Sequence, residues 1–276
     1  MLSTPLALLV GLLLLLPVCT FFAYSFLTPR AFHVSLPLTI RNYQIAFTEP
    51  VYWQLLINSV RIGLSTAGIS TILGYILAYY ISTQEGHLRT AILGLVVISI
   101  LGGYLVRIYA WRIILGAEGV LNSLLMALRL IDHPLGFLLF SRAAVVVALV
   151  NIFVPFTALT IFAALENIGR DLVEAARDLG ASPMRTFQTI ILPLTGRAVF
   201  TSFLFVFLLA AADYITPQLI GGARGAMIGV VIYDQFIRLG NWSLGAALSF
   251  QIVLVFGIVL FTVWLLLKAL GLLKAG

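Results

Sequence analysis

The sequence predicts an all-α, polytopic membrane protein that crosses the bilayer about six times. Three observations carry this: 62% of the 276 residues are hydrophobic, only 9% are charged, and the apolar residues fall in long runs with the charges between them. A water-soluble chain with so few polar side chains does not cover its own surface. Residues 1–54 are expected to hold the first transmembrane helix and an external loop, 55–268 the membrane core with a charged loop at 166–197, and 269–276 a short cytoplasmic tail.

The run from Pro5 to Leu27 has no charge and is long enough to cross about 30 Å of hydrocarbon at 1.5 Å per residue. It lacks the positive start of a secretory leader and exceeds the roughly 7 to 15 apolar residues of one, so it reads as a true span. Thr28 to Gln54 is polar, with Pro29, Pro37 and Pro50, and reads as an external loop with one short surface helix. Further spans are expected near 56–81, 89–107, 137–164, 198–220 and 244–267. In the second, Gly63, Ala67, Ser70, Gly74 and Ala78 recur at spacings of three and four, which puts small residues on one face and lets another helix approach closely. Pro155 and Pro217 are expected to kink or end the fourth and fifth spans. No internal repeat is visible, so the inverted-repeat pattern of many secondary transporters is missing.

The sixteen Lys and Arg give a net charge of +6 but stand singly between apolar runs, a pattern that excludes a nucleic-acid surface and fits cations flanking spans. Cys19, the single cysteine, excludes an internal disulfide and a cysteine-based metal site. An even number of spans places both termini on one side, but the charges do not say which. If the termini are cytoplasmic, Arg89, Arg170, Arg177, Arg185, Arg197, Lys268 and Lys274 lie inside, and at least as many arginines lie outside. The rule that favours cytoplasmic positive charge is not obeyed.

The longest charged stretch, Glu166 to Arg197, holds four acids and four arginines. Arg170 and Glu174 are i, i+4 partners, and Leu172, Ala175, Ala176 and Leu179 give a helix with one apolar face. Gly180 supplies a stop, and Ser182 followed by Pro183 reads as an N-cap with proline at the first helical position. A helix, a tight turn and a second helix through Phe187 and Ile191 are therefore expected outside the membrane core. Glu174, Ala175, Ala176, three residues, Gly180, nine residues, Ile190, one residue, then Leu192 and Pro193 resemble the EAA loop of binding-protein-dependent ABC importer permeases. The resemblance implies that this loop faces the cytoplasm, that both termini do so too, and that Glu174 to Gly180 form a coupling helix docked on an ATPase subunit. An amphipathic helix lying on the headgroups is the plainer alternative; it explains the apolar face but not the spacing through Pro193.

A narrower resemblance runs through LVRIYAWRIILGAEGVLN, DYITPQLIGG and MIGVVIYDQFIRLGNWSLGAALS, which look like the first permease of spermidine/putrescine-type importers. It implies a prokaryotic inner-membrane subunit working with a second, homologous permease, two ATPase subunits and an external solute-binding protein. The implied solute is a polyamine, with aminoethylphosphonate or opine-like compounds as alternatives. ATP and Mg are implied on the ATPase only, since this sequence has no glycine-rich Lys-Ser/Thr phosphate loop.

Asp213 stands alone in the fifth apolar run, and is either a cation contact on the pathway or a structural partner to another helix. Tyr214 beside it reads as packing. Tyr104, Arg107, Tyr109, Trp111 and Arg112 gather where the third span meets water; interfacial anchoring accounts for them, and a place on the pathway is the alternative. Glu118, Asp132 and Asp234 are candidate contacts for the binding protein. His33, His87 and His133 lie in separate loops without metal-ligand spacing, and no catalytic constellation is present. An ion-coupled transporter needs several intramembrane ionisable groups and a membrane enzyme needs a polar cluster, and neither is evident.

Overall fold

The structure is a computed structural model and describes residues 3–30 and 32–269. Lys274 and nearly all of the expected 269–276 tail lie outside the described residues, as does the side chain of Arg170. Twelve helices are present among them, with one two-stranded hairpin.

Helix α1, Ser3–Ser25, is the expected first span. Its outer surface is apolar and exposed from Leu12 to Leu16, which is the mark of a lipid-facing helix. The loop after it is more ordered than the sequence suggests. Strands β1, Leu27–Arg30, and β2, His33–Leu38, pair antiparallel, and α2 spans Arg41–Thr48. Both strands are edges, so Pro29 and Pro37 fit without breaking a shared ladder; that is why so short and proline-bearing a stretch escapes notice. Buried Asn42 closes the unit by donating from Nδ2 to the carbonyls of Ser25 and Leu27 at 2.9 Å.

Helix α3 runs Pro50–Thr83, longer than the expected 56–81 at both ends. Pro50 sits at its first position and Glu49 before it is extended, the arrangement proline imposes. Helix α7, Arg142–Glu166, starts at the Ser141 cap, whose Oγ accepts the Ala144 N–H at 3.1 Å, and it continues through Pro155 without ending there. The predicted small-residue face of α3 is buried at Gly63, Ala67, Ser70, Gly74 and Ala78. Thr157 of α7 bonds across that seam, its Oγ1 donating to the Ser70 carbonyl at 2.8 Å.

The third span differs from expectation. Helices α4, Gly86–Leu101, and α5, Tyr104–Ile114, meet at a 93° bend, because Gly102 and Gly103 leave the helical region with ψ of 133° and 131°. A short α6, Val120–Ala127, follows. Helix α8, Arg170–Asp178, and the one-turn α9, Pro183–Thr186, form the charged loop. From α9 the chain passes through a π-type turn, Phe187–Ile191, directly into α10, Leu192–Ala211, so the second loop helix is not separate but opens the fifth span. The cause is local: Pro193 has no N–H, so the ladder widens before it and the Leu192 N–H reaches back to the Phe187 carbonyl. After a second π-type turn at Pro217–Gly221 come α11, Ile228–Ile237, and α12, Trp242–Ala269.

By length and composition four stretches qualify as spans among the described residues: α3, α7, α9 with α10, and α12. The bent α4 and α5 pair makes a fifth if taken as one, and α1 has 23 residues. The core is built from α3, α7 and α10, with Phe207, Ile62 and Leu149 fully covered, and Ile220 of the second π-type turn joins it. On the outside, α1 lies along α12 through Phe22 on Phe250, with ring centroids 5.1 Å apart, and Gln251 ties α12 to α2 by donating to the Ala46 carbonyl at 2.8 Å.

Candidate functional site

Two regions at opposite ends of α10 hold the residues singled out from the sequence. The first is the loop between α7 and α10. Helix α8 is capped at its far end by Gly180, whose φ of +80° is left-handed and whose N–H donates to the Arg177 carbonyl at 2.9 Å, while Ala181 reaches the Ala176 carbonyl at 3.0 Å. Ser182 then caps the next helix as its sequence predicts, Oγ accepting the Arg185 N–H at 3.4 Å with Pro183 following.

The helix keeps little contact with the bundle. Glu174 and Ala175 are exposed, Ala176 is half-buried, and the apolar side chains flanking them stand open, Leu172 at 52% and Leu179 at 89% of full exposure. The residues after the turn behave in the opposite way. Phe187 is wedged edge-on against Tyr75 and Tyr79, with centroids 5.8 and 5.7 Å apart, and Ile191 is buried with Ala78, Ile161 and Leu165. Ile190, Leu192 and Pro193 are half-buried where the span begins, and Thr195 Oγ1 bonds Tyr75 at 3.0 Å. Thus the Glu174 to Gly180 half of the motif is presented and the Ile190 to Pro193 half is anchored.

Between the two halves lies a cavity of about 320 Å³, lined by Tyr79, Ser82, Thr83, Glu166, Glu174 and Arg177 among others. Beside it, Arg89 of α4 pairs with Glu166 at the end of α7 and lies 5.1 Å over the Phe162 ring. Sequence reasoning did not find this clamp; the nearest signal was that Glu166 is the first acid after a long apolar run and Arg89 a cation at the head of another.

The second region is the other end of α10. Asp213 lies just past the helix, not within it, and its two carboxylate oxygens accept the main-chain N–H groups of Ile215 and Thr216, each at 3.1 Å. Thr216 Oγ1 bonds the hydroxyl of Tyr104 at 2.9 Å, which ties the bend of the third span to the same turn. Tyr214 stacks on Tyr233 of α11, with centroids 4.8 Å apart and planes at 12°; Tyr233 was not singled out from the sequence, although it mirrors Asp213–Tyr214 as Tyr233–Asp234. Asp234 is paired with Arg238 at 3.1 Å. The structure does not gather the other candidates here: Trp111 packs on the core, Tyr109 is half-exposed, and Arg107 lies over Gly102 at the bend. Among the described residues no three His, Cys, Asp or Glu side chains converge as metal ligands.

Solved structures share this architecture. A bacterial ABC transporter involved in import of the acidic polysaccharide alginate aligns with a TM-score of 0.73 at 16% identity, over 95% of this chain and 91% of that one. The MetNI methionine ABC transporter aligns at 0.57 and 18%, over 81% and 99%. In sequence, the spermidine/putrescine transport system permease protein PotB of Salmonella typhimurium is 35% identical over 254 residues, 92% of this chain and 88% of the relative. PotB of Haemophilus influenzae is 34% identical over 90% and 86%. With residues 1–271 matching a single family throughout, the chain belongs to the binding-protein-dependent transport system inner membrane components.

Proposed function

We propose that this chain is one of two homologous permease subunits of an ATP-driven importer, and that its solute is a polyamine of the spermidine/putrescine class. The observation that carries the solute class is the extent of the likeness to the PotB permeases, which reaches across nine-tenths of the chain. The exposed α8 and its anchored continuation support the mechanism. In this reading the α8 end faces the cytoplasm together with both termini, and the segment Glu174 to Gly180 docks on an ATPase subunit that binds ATP and Mg. Asp213 and the β1–β2 hairpin then face the outside, where a solute-binding protein delivers its cargo. A solved alginate transporter has been captured with its loaded periplasmic protein, which supports such a partner here.

The predicted cycle is alternating access. Closure of the two ATPases pushes α8, the push travels along α10, and the pathway opens toward the binding protein; hydrolysis returns it inward. The chain itself supplies transport geometry, not catalysis.

The test is uptake of labelled putrescine and spermidine in cells lacking their own polyamine importers, expressing this chain with its ATPase, second permease and binding protein. The Glu174→Ala, Gly180→Asp double variant runs beside it. Uptake that requires every subunit and collapses in the variant is the expected result. ATP hydrolysis by an assembled complex that leaves polyamines outside overturns the solute class, and uptake without the ATPase overturns the mechanism.

A further inference from the structure

We propose that the pocket enclosed by the β1–β2 hairpin, α2 and the start of α12 binds an anionic phospholipid, with its phosphate on Arg41 and its acyl chains over Leu36, Leu38 and Ile40. In the orientation proposed above this is the outer leaflet, and the site does not depend on the identity of the solute.

The pocket has a volume of about 520 Å³, and among the described residues that line it there is one cation, Arg41, and no acid. Arg41 is exposed and is in no ion pair among the described residues. Two neutral donors share the lining with it. Thr39 Oγ1 accepts the Arg41 main-chain N–H at 3.1 Å and keeps its own proton to give. Asn241 Oδ1 accepts the Leu244 N–H at 3.1 Å, which leaves its Nδ2 group as a donor. A guanidinium accompanied by a hydroxyl and an amide suits a phosphate. The apolar part of the lining, Pro37, Leu38, Ile45 and Leu244, suits the glycerol and the first methylenes of a lipid.

The surroundings identify the occupant as lipid. The pocket sits where two membrane helices reach the surface, since α1 ends at Ser25 and α12 begins at Trp242. Tyr24 stacks on Trp242, with centroids 6.4 Å apart and planes at 17°, and Tyr43 of α2 lies on Phe26 at 5.1 Å. Such amphipathic rings collect at the headgroup level of a bilayer. The exposed apolar surface of α1 runs from Leu12 through Val18 to Phe22, and on the other side of the pocket Leu36, Leu38 and Ile40 are exposed in succession. Leu38 is also a wall of the pocket, so the pocket opens onto this apolar surface. Charge points the same way. Residues 1–48 contain Arg30, His33 and Arg41 and no acid, Glu49 being the first. Cations that the positive-inside rule disfavours at this face gain a counter-charge from anionic headgroups, which attract basic groups lying at the membrane surface.

The test uses the complete complex, purified in detergent and stripped of lipid, and follows its melting temperature as phosphatidylglycerol, phosphatidylcholine or inorganic phosphate is added. Phosphatidylglycerol is expected to raise it and the other two to leave it unchanged. Arg41→Gln should need about fivefold more phosphatidylglycerol for the same rise, and Leu38→Glu at least as much, whereas Arg30→Gln, outside the lining, should stay within about twofold of wild type. Both Arg41 and Leu38 are exposed, so neither variant removes a core contact. A wild type indifferent to phosphatidylglycerol overturns the site. So does an equal response to phosphatidylcholine, an equal response to free phosphate, or equal weakening by Arg30→Gln and Arg41→Gln, which mark a general lipid effect, a soluble anion and a diffuse surface charge in turn. The occupant is checked with a photocrosslinker on Leu38→Cys, in a Cys19→Ser background, in proteoliposomes containing phosphatidylglycerol. Lipid adducts are expected; capture of the second permease or of the binding protein in their place overturns the lipid assignment.

Discussion

Adding one methyl group at Gly74 should separate the seam that holds α3 on α7. A Cβ at this position would lie 2.0 Å from Thr157 Oγ1, 2.7 Å from Thr157 Cβ and 3.0 Å from the Ala158 nitrogen, and ordinary contact begins near 3.4 Å, so something must move by about 1.4 Å. Thr157 is not free to turn away, because its Oγ1 donates to the Ser70 and Val154 carbonyls at 2.8 Å each. Overfilling a packed seam costs about 1–3 kcal/mol, and losing an interhelical hydrogen bond in a membrane adds about 0.6 kcal/mol. Gly74→Ala is therefore expected to cost about 2–3 kcal/mol and lower the melting temperature of the detergent-purified complex by roughly 5–10 °C. Thr157→Ala supplies the internal check. It removes the oxygen at 2.0 Å but leaves the Cβ contact at 2.7 Å, so the double variant should recover part of the loss, with a coupling of about 1 kcal/mol. A Gly74→Ala protein that melts within about 1 °C of wild type, or a strictly additive double variant, would refute the close approach.

Three further outcomes follow from other contacts. Gly180→Asn should retain most transport, because asparagine tolerates a left-handed φ, whereas Gly180→Val should lose about tenfold from a conformational cost of about 1–2 kcal/mol; equal uptake by the two variants would show that the turn does not set the pose of α8. Asn58→Ala removes a buried amide that donates to the Arg224 and Ala226 carbonyls across the bundle, and should cost about 1–3 kcal/mol in thermal stability, more than Asn241→Ala, whose half-buried side chain accepts only the local Leu244 N–H; a smaller loss at Asn58 than at Asn241 contradicts this. Arg89 and Glu166 are both partly exposed, so a double-mutant cycle should return a coupling below about 1 kcal/mol, reduced further by salt; a larger, salt-independent value would mean that the pair is shielded by a neighbouring subunit.

The architecture was largely legible because the bilayer leaves a strong mark on composition. Long apolar runs gave the spans, and small residues at helical spacing on α3 gave the buried face that α7 and α10 pack against. The cap chemistry around Gly180, Ser182 and Pro183 was legible as well, since each depends on a residue type at a fixed offset. What escaped depended on backbone geometry or on residues far apart in sequence. The bend at Gly102 and Gly103 sits inside one uninterrupted apolar run, and hydropathy does not sense direction. Helix α9 looked like a separate loop helix because charge and hydropathy change at Leu192, whereas the helical backbone continues through the π-type turn. The Tyr214–Tyr233 stack joins two elements that no local pattern connects.

That continuity bears on how the two ends of the molecule communicate. From Pro183 to Ala211 the helix has 29 residues, about 43 Å at 1.5 Å per residue, enough to cross the hydrocarbon with length to spare. One end begins three residues after the turn at Gly180, and the other ends one residue short of Ala212 and two short of Asp213. In the proposed cycle a push on α8 enters this helix, whose far end leads directly into Asp213 and Tyr214, with Tyr233 opposite on α11. Helix α8 is joined to α7 through the non-helical Asn167 to Gly169 and to α9 through the turn Leu179 to Ser182, so it is set off from both by short non-helical connections. The π-type turn is the place where the helix is widest and least regular, and it is also the place where Phe187 is gripped between Tyr75 and Tyr79 of α3. In the proposed cycle this grip on α3 serves as the fulcrum, so that a displacement of α8 on one side of it becomes a tilt of α10 on the other.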